Sequence, residues 1–110
     1  MNKQELHRAS TPAVSNVVAA NAFAALGSEQ RLELLRSLTR AGSTGLATGE
    51  LGARAGVSGA TLTHHLKVLT DAGLITQAKH GRFIVCTAMA FTLVGGLADY
   101  LTTQCCAGME

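Results

Sequence analysis

Between Gly56 and Leu74 the 110-residue chain reads GVSGATLTHHLKVLTDAGL, and here lie most of the side chains suited to meeting nucleic acid. Ser58 is placed to cap a helix whose apolar positions Leu62, Leu66 and Leu69 fall four and three apart, on one face, and Gly73 ends that helix. The opposite face presents Ala60, Thr61, Thr63, His64 and Lys67. Short side chains let a helix enter the major groove, hydroxyls and imidazole can meet base edges or phosphates, and a lysine neutralises backbone charge. The same residues would equally suit a solvated helix face, so the elements around them must decide. A second group is Cys105-Cys106, with Cys86 as a more doubtful companion. Thiolates are soft ligands that select thiophilic centres, and adjacent cysteines in a tail can converge, whereas neighbours inside a helix point about 100° apart.

The order of elements favours nucleic acid. A short helix over Leu46–Ala55, capped at Thr48 and anchored by Leu51, leads through Ala55-Gly56-Val57 into the helix just described, which is the layout of a helix-turn-helix. After Gly73 the period drops to two. Residues 74–79 and 83–87 are rich in β-formers and flank His80-Gly81-Arg82, so a hairpin with a basic tip follows the reading helix. Such a wing can bring Lys79, His80 and Arg82 to phosphates or a minor groove. Between Arg54 and Arg82 the only acid is Asp71, while three of the four histidines fall there. A local positive face on a chain of net charge +2 is what counterion release requires.

Upstream, residues 1–10 read as a loose tail, and Ser10-Thr11-Pro12 suits a helix start. The helix through Gly27 carries Val14, Val17, Val18, Phe23, Ala24 and Leu26 around its circumference. Ser28 caps the next helix, with Glu29 in its first turn and Leu32, Leu35 and Leu38 as the buried stripe. The last helix, Met89 to Gln104, has a broad apolar face of Phe91, Leu93, Val94, Leu97, Tyr100 and Leu101. Its Gly95-Gly96 costs about 1 kcal/mol per glycine, which close approach of another helix would offset. Two such apolar helices exceed what a small domain can bury, so the first and last helices are expected to pair across a twofold axis in a homodimer. The predicted fold is mainly α with a small β-hairpin: one domain over residues 11–104, followed by a tail of 105–110 bearing the cysteine pair. Apolar residues make up 47% of the chain with few aromatics, which agrees with closely packed helices. No apolar run reaches the roughly 20 residues of a membrane span, and no signal peptide is evident, so no membrane partner and a cytoplasmic location are expected. Thiols stay reduced there, and the cysteines read as ligands, sensors or packing residues.

The segments ALGSEQRLELLRSL, ELGARAGVSGATLTHHLKVLTDAGLI and KHGRFIVC resemble the ArsR/SmtB family of homodimeric winged-helix repressors, over about residues 20–103. The resemblance implies a dimer on a double-stranded, pseudo-palindromic operator, released when an inducer binds. It also implies that Ser58, Ala60, Thr61, Thr63 and His64 face the groove, with Lys67 on the backbone and Arg82 in the wing. His65, one step round the helix, is assigned to packing or a structural hydrogen bond. The cysteine motif that many arsenic and cadmium sensors carry near the first reading helix is replaced here by TGLATGEL, and no histidine follows His80 to complete a zinc-sensing pair. The end YLTTQCC resembles arsenic-responsive members with a terminal cysteine pair. Two thiolates satisfy a monomethyl or aryl arsenical, whereas arsenite would want a third sulfur. A final helix of about 15 residues spans about 22 Å, which keeps Cys86 from the pair of its own chain. Cys86 could meet the pair of the other subunit if the two final helices run antiparallel, and otherwise reads as a buried small hydrophobe in the wing strand. No obligatory cofactor is expected, only a trivalent arsenic species as inducer. The alternative is a thiol redox or persulfide sensor using the same cysteines. Catalysis is not expected: no histidine or carboxylate adjoins the cysteines and no phosphate-cradling loop is present.

Overall fold

In the computed structural model the described residues are 14–89 and 95–104. The expected helix start at Ser10-Thr11-Pro12, the tail over 1–10, the positions Phe91, Leu93 and Val94, and Cys105-Cys106 lie outside them.

Serine hydroxyls start the first two helices among the described residues. Ser15 Oγ accepts from Val18 N at 3.2 Å and opens α1 (Asn16–Ala25), so the helix begins after Ser15 and does not include Val14. Ser28 Oγ accepts from Arg31 N at 3.3 Å and opens α2 (Glu29–Ala41). The buried stripe of α2 is Leu34, Leu35 and Leu38; Leu32, expected inside, is 50% exposed. At about 100° per residue, Leu32 sits some 200° from Leu34, on the far side of the helix. In α1 the small residues Ala19, Ala22 and Ala25 face inward, leaving Val17 and Val18 in solvent.

A 3-10 turn, Gly42–Thr44, leads to a short strand, β1 (Leu46–Ala47), where the sequence suggested the start of a helix. The backbone groups of Leu46 and Ala47 pair instead with Cys86 and Val85. Helix α3 (Thr48–Ala55) follows, with Ala47 at the cap position and no side-chain cap, so Thr48 is its first helical residue. Helix α4 (Gly59–Asp71) closes with Gly73 at φ +77, Gly73 N donating to Thr70 O and Leu74 N to Leu69 O, both at 3.0 Å. That pair of bonds satisfies the last carbonyls, and glycine is the residue that adopts the required left-handed conformation.

The hairpin is β2 (Ile75–His80) and β3 (Phe83–Ala88), in a three-stranded antiparallel sheet of order β1-β3-β2. His80 belongs to β2, opposite Phe83, so the turn is the two residues Gly81-Arg82. Gly81 takes φ +64 and Arg82 does not have a positive φ, the sign pattern of a type II′ turn. Met89 is not helical; its N–H donates to Leu74 O at 2.9 Å and closes the base of the wing. Of the last expected helix, the described residues form α5 (Gly95–Asp99), which continues as a π-helical turn, Tyr100–Gln104. The Tyr100 hydroxyl donates to Asn16 Oδ1, joining this end of the chain to α1.

One core holds these pieces. Leu34, Leu38, Leu51, Leu69, Leu74, Ile75 and Cys86 are its fully buried centre, drawn from α2, α3, α4 and the sheet. Each buried leucine contributes roughly 2 kcal/mol, so the reading helix is held by the core rather than by its own propensity.

Candidate nucleic-acid interface

The turn between α3 and α4 sets the position of the reading helix. Gly56 adopts φ +71, ψ 30, and Val57 N donates to Gly52 O at 2.9 Å. Ser58 stands at the cap position of α4, but its hydroxyl makes no capping bond. Gly59 follows at φ +62, where a standard first helical residue has φ near about −63°, so the usual capping geometry is not met. Leu62, Leu66 and Leu69 face the core, while Ala60, Thr61, Thr63, His64 and Lys67 are exposed, as is Ser58. The Thr63 hydroxyl bonds back to Gly59 O at 3.3 Å. Lys67 Nζ lies 2.9 Å from Asp71 Oδ2, so this cation is already paired with its own helix.

His65 points the other way and is buried. Arg31 Nη1 lies 3.1 Å from its Nδ1, and Gln30 Oε1 lies 2.8 Å from its Nε2. A guanidinium only donates, so Nδ1 must accept and Nε2 must carry the proton that goes to Gln30. Arg31 Nε in turn donates to Ala25 O at the end of α1. The clasp ties α1, α2 and the reading helix together. Gln30 and Arg31 carried no signal in the sequence beyond being polar residues in a first turn; only a histidine on an apolar face hinted that partners existed.

This environment lowers the His65 pKa below its ordinary 6.5, chiefly through desolvation, with the Arg31 charge and His64 adding to it. The unfolded chain therefore binds a proton at a higher pH than the folded one, and stability rises with pH across that interval. His65 makes its full contribution above about pH 6.5, the unfolded value. As pH falls through the lowered folded value, protonation at Nδ1 sets imidazolium against Arg31. Urea melts from pH 7.5 to 5 should show this decline, and His65→Gln should flatten it; a slope identical in the variant would assign it to other groups.

The wing is fastened to the reading helix by Gln77 Nε2, which donates to Thr70 Oγ1 at 2.8 Å. This latch was not anticipated from the sequence. Between wing and helix runs an open groove of about 430 Å³, lined by Thr48, Thr63, Lys67, Gln77 and Ile84, with Gly49 and Gly59 in its floor. Lys79, His80 and Arg82 are exposed around the hairpin turn. Among the described residues Lys79 and Arg82 make no ion pair, whereas Arg54 is held by Glu50 at 2.8 Å. Beside α4, the wing thus offers Lys79 and Arg82 to an incoming anion.

Cys86 lies in β3, fully buried, opposite Leu46 and Gln77. Burial pushes its thiol above the ordinary value and so favours the protonated form. Among the described residues no group of three or more His, Cys, Asp or Glu side chains could hold a metal ion, and no helix is long and apolar enough to cross a membrane.

Comparison with known proteins agrees with this arrangement. Residues 26–78 match the model of a helix-turn-helix domain family. The chain is 35% identical over 65 residues to an uncharacterized HTH-type transcriptional regulator, YceK, of Bacillus subtilis (strain 168), a match covering 59% of this chain and 64% of that protein's length. It is also similar to an ArsR-like transcriptional regulator from Rhodococcus sp. RHA1, with 32% identity, a TM-score of 0.64, and 77% and 76% of the two chains covered. The fold matches the homodimeric winged helix-turn-helix DNA-binding domain of Mb0332 from Mycobacterium bovis at 19% identity and a TM-score of 0.60, covering 92% and 90%. These proteins are described as transcriptional regulators or as a DNA-binding domain. With its helix-turn-helix, its wing and these relatives, the chain belongs to the ArsR family of winged helix-turn-helix transcriptional regulators.

Proposed function

We propose that the protein is a dimeric repressor that reads a pseudo-palindromic operator with α4 and grips the flanking backbone with its wing. The carrying observation is the division of α4: Leu62, His65, Leu66 and Leu69 are sealed against the fold, and Thr61, Thr63, His64 and Lys67 are left outside. Thr61 and His64 meet base edges, while Lys67, Lys79, His80 and Arg82 meet phosphate or the minor groove. Phosphate draws Lys67 away from Asp71, an exposed pair whose loss costs little. Dimerisation through the first and last helices is supported by Val17 at 70% exposed, Val18 at 42% and Leu101 at 47%. It is supported also by the description of the Mycobacterium bovis domain as homodimeric. A twofold dimer sets two reading helices about 34 Å apart, one duplex turn.

The inducer is trivalent arsenic, and its ligands are the thiolates of Cys105 and Cys106. With Cys86 buried and its thiol held protonated, the tail pair is the better donor set. The DNA half of the proposal is tested by gel shift. His64→Ala and Arg82→Ala should each weaken operator binding about tenfold, with the dimer intact by sedimentation. Unchanged affinity in both variants would remove this face from the reading surface.

A further inference from the structure

The wing carries one large apolar side chain that neither the core nor the reading helix uses. Phe83 is 66% exposed and does not pack on the core cluster. Strand alternation puts it on the outer face of the hairpin with Val85 and Ala78, cross-strand from His80, whereas Ile84, itself 45% exposed, lines the groove beside α4 and Cys86 is buried. Arg82 precedes it in the turn, and Lys79 pairs with Ile84 one rung away, on the other face of the hairpin. From Ala72 to Ala98 the sequence contains no acidic residue. An exposed aromatic set among uncompensated cations fits a partner that is both polyanionic and apolar at its surface, and duplex DNA offers this combination along its minor groove, where deoxyribose carbons form the walls.

Resting on the function proposed above, we infer that Phe83 is a DNA-contacting residue, its ring lying against deoxyribose in the minor groove while Arg82 leads and the other wing cations hold phosphates. Its place one residue behind the turn makes it a wall contact. Gly81-Arg82 leads the hairpin into a groove ahead of it. A sugar contact carries no base information, so it strengthens binding to all duplexes alike. It involves no counterion, so it adds affinity without adding salt dependence.

These properties separate Phe83 from its neighbours in a single experiment. The full-length protein is titrated into a fluorescein-labelled duplex of mixed sequence, about 30 base pairs long, over a series of salt concentrations. Phe83→Ala should weaken binding about tenfold at every salt concentration, as loss of a largely buried ring implies, with the slope of log affinity against log salt unchanged. Phe83→Leu should recover most of the loss. Arg82→Ala should reduce the magnitude of that slope by about one. The melting temperature of Phe83→Ala should match the wild type, because the ring is exposed in the free protein. Unaltered affinity for Phe83→Ala would overturn the inference while leaving the proposed function standing on the wild-type titration. A slope change like that of Arg82→Ala would also overturn it, as would a shift of the variant toward monomer in sedimentation, which would place the ring between two copies of the chain. Absence of salt-dependent duplex binding by the wild type would instead bring down the proposed function itself.

Discussion

Gly52→Ala lowers the unfolding free energy by about 2–3 kcal/mol in a urea melt and weakens DNA binding in parallel. Helix propensity alone gives the opposite sign, since alanine in place of a mid-helix glycine stabilises by roughly 0.5–1 kcal/mol. The packing decides. A Cβ at Gly52 would stand 2.5 Å from the carbonyl oxygen of Val57 and 2.6 Å from Leu62 Cδ2. The leucine tip could turn aside, but the carbonyl is backbone within the turn of the helix-turn-helix, and Val57 N is bonded to Gly52 O at 2.9 Å. Making room means moving the turn, and with it the start of α4. Gly49, in the first turn of the same helix, is the control: a Cβ there has nothing within 4 Å. Gly49→Ala should leave stability level or raise it by up to about 1 kcal/mol. If both variants behave alike, the close approach of α3 and α4 through Gly52 does not carry the geometry of the motif.

The elements legible in the sequence were those whose signal is local and repeated. Leu62, Leu66 and Leu69 with Gly73 fixed α4 and its end, and the β-formers on both sides of Gly81 fixed the wing. Strand β1 was not legible. Two residues have no period, and Leu46-Ala47 becomes a strand only by pairing with Cys86 and Val85 forty positions away. The same contact explains Gly45, whose φ of +70 and approach to Cys86 O leave no room for a side chain. The buried face of α2 was misread because five leucine and serine positions between Leu32 and Leu38 allow two stripes, and only the packing of α3, α4 and β3 against the helix selects Leu34 over Leu32. Residue types sufficed to place Thr61, Thr63 and His64 on the exposed face of α4. They did not reveal the devices that aim it, Gln30-His65-Arg31 and Gln77-Thr70, because each joins side chains of different elements through one or two hydrogen bonds that leave no periodic signal.

Changing Cys105 and Cys106 together to serine should leave operator binding at wild-type strength and abolish its release by a trivalent arsenical. A methyl- or arylarsenical carries two exchangeable hydroxyls. Two thiols displace them as two waters and close two As–S bonds, leaving the carbon as the third substituent. Serine oxygens do not replace soft thiolate donors at such a centre, so the double variant should stay on DNA at concentrations that strip the wild type. Each single variant should fail similarly, because one remaining thiolate leaves a hydroxyl that water keeps exchanging. Cys86→Ala should keep induction, since that thiol is fully buried and its burial favours the protonated form. Loss of induction in Cys86→Ala with the fold retained would mean that the strand opens and a third sulfur joins the site. A redox sensor would differ again: mass spectrometry after oxidant would find Cys105 or Cys106 linked to Cys86, and arsenic absent from the released protein. Induction surviving the double variant would place the sensor elsewhere in the chain and leave the reading helix and wing as they are.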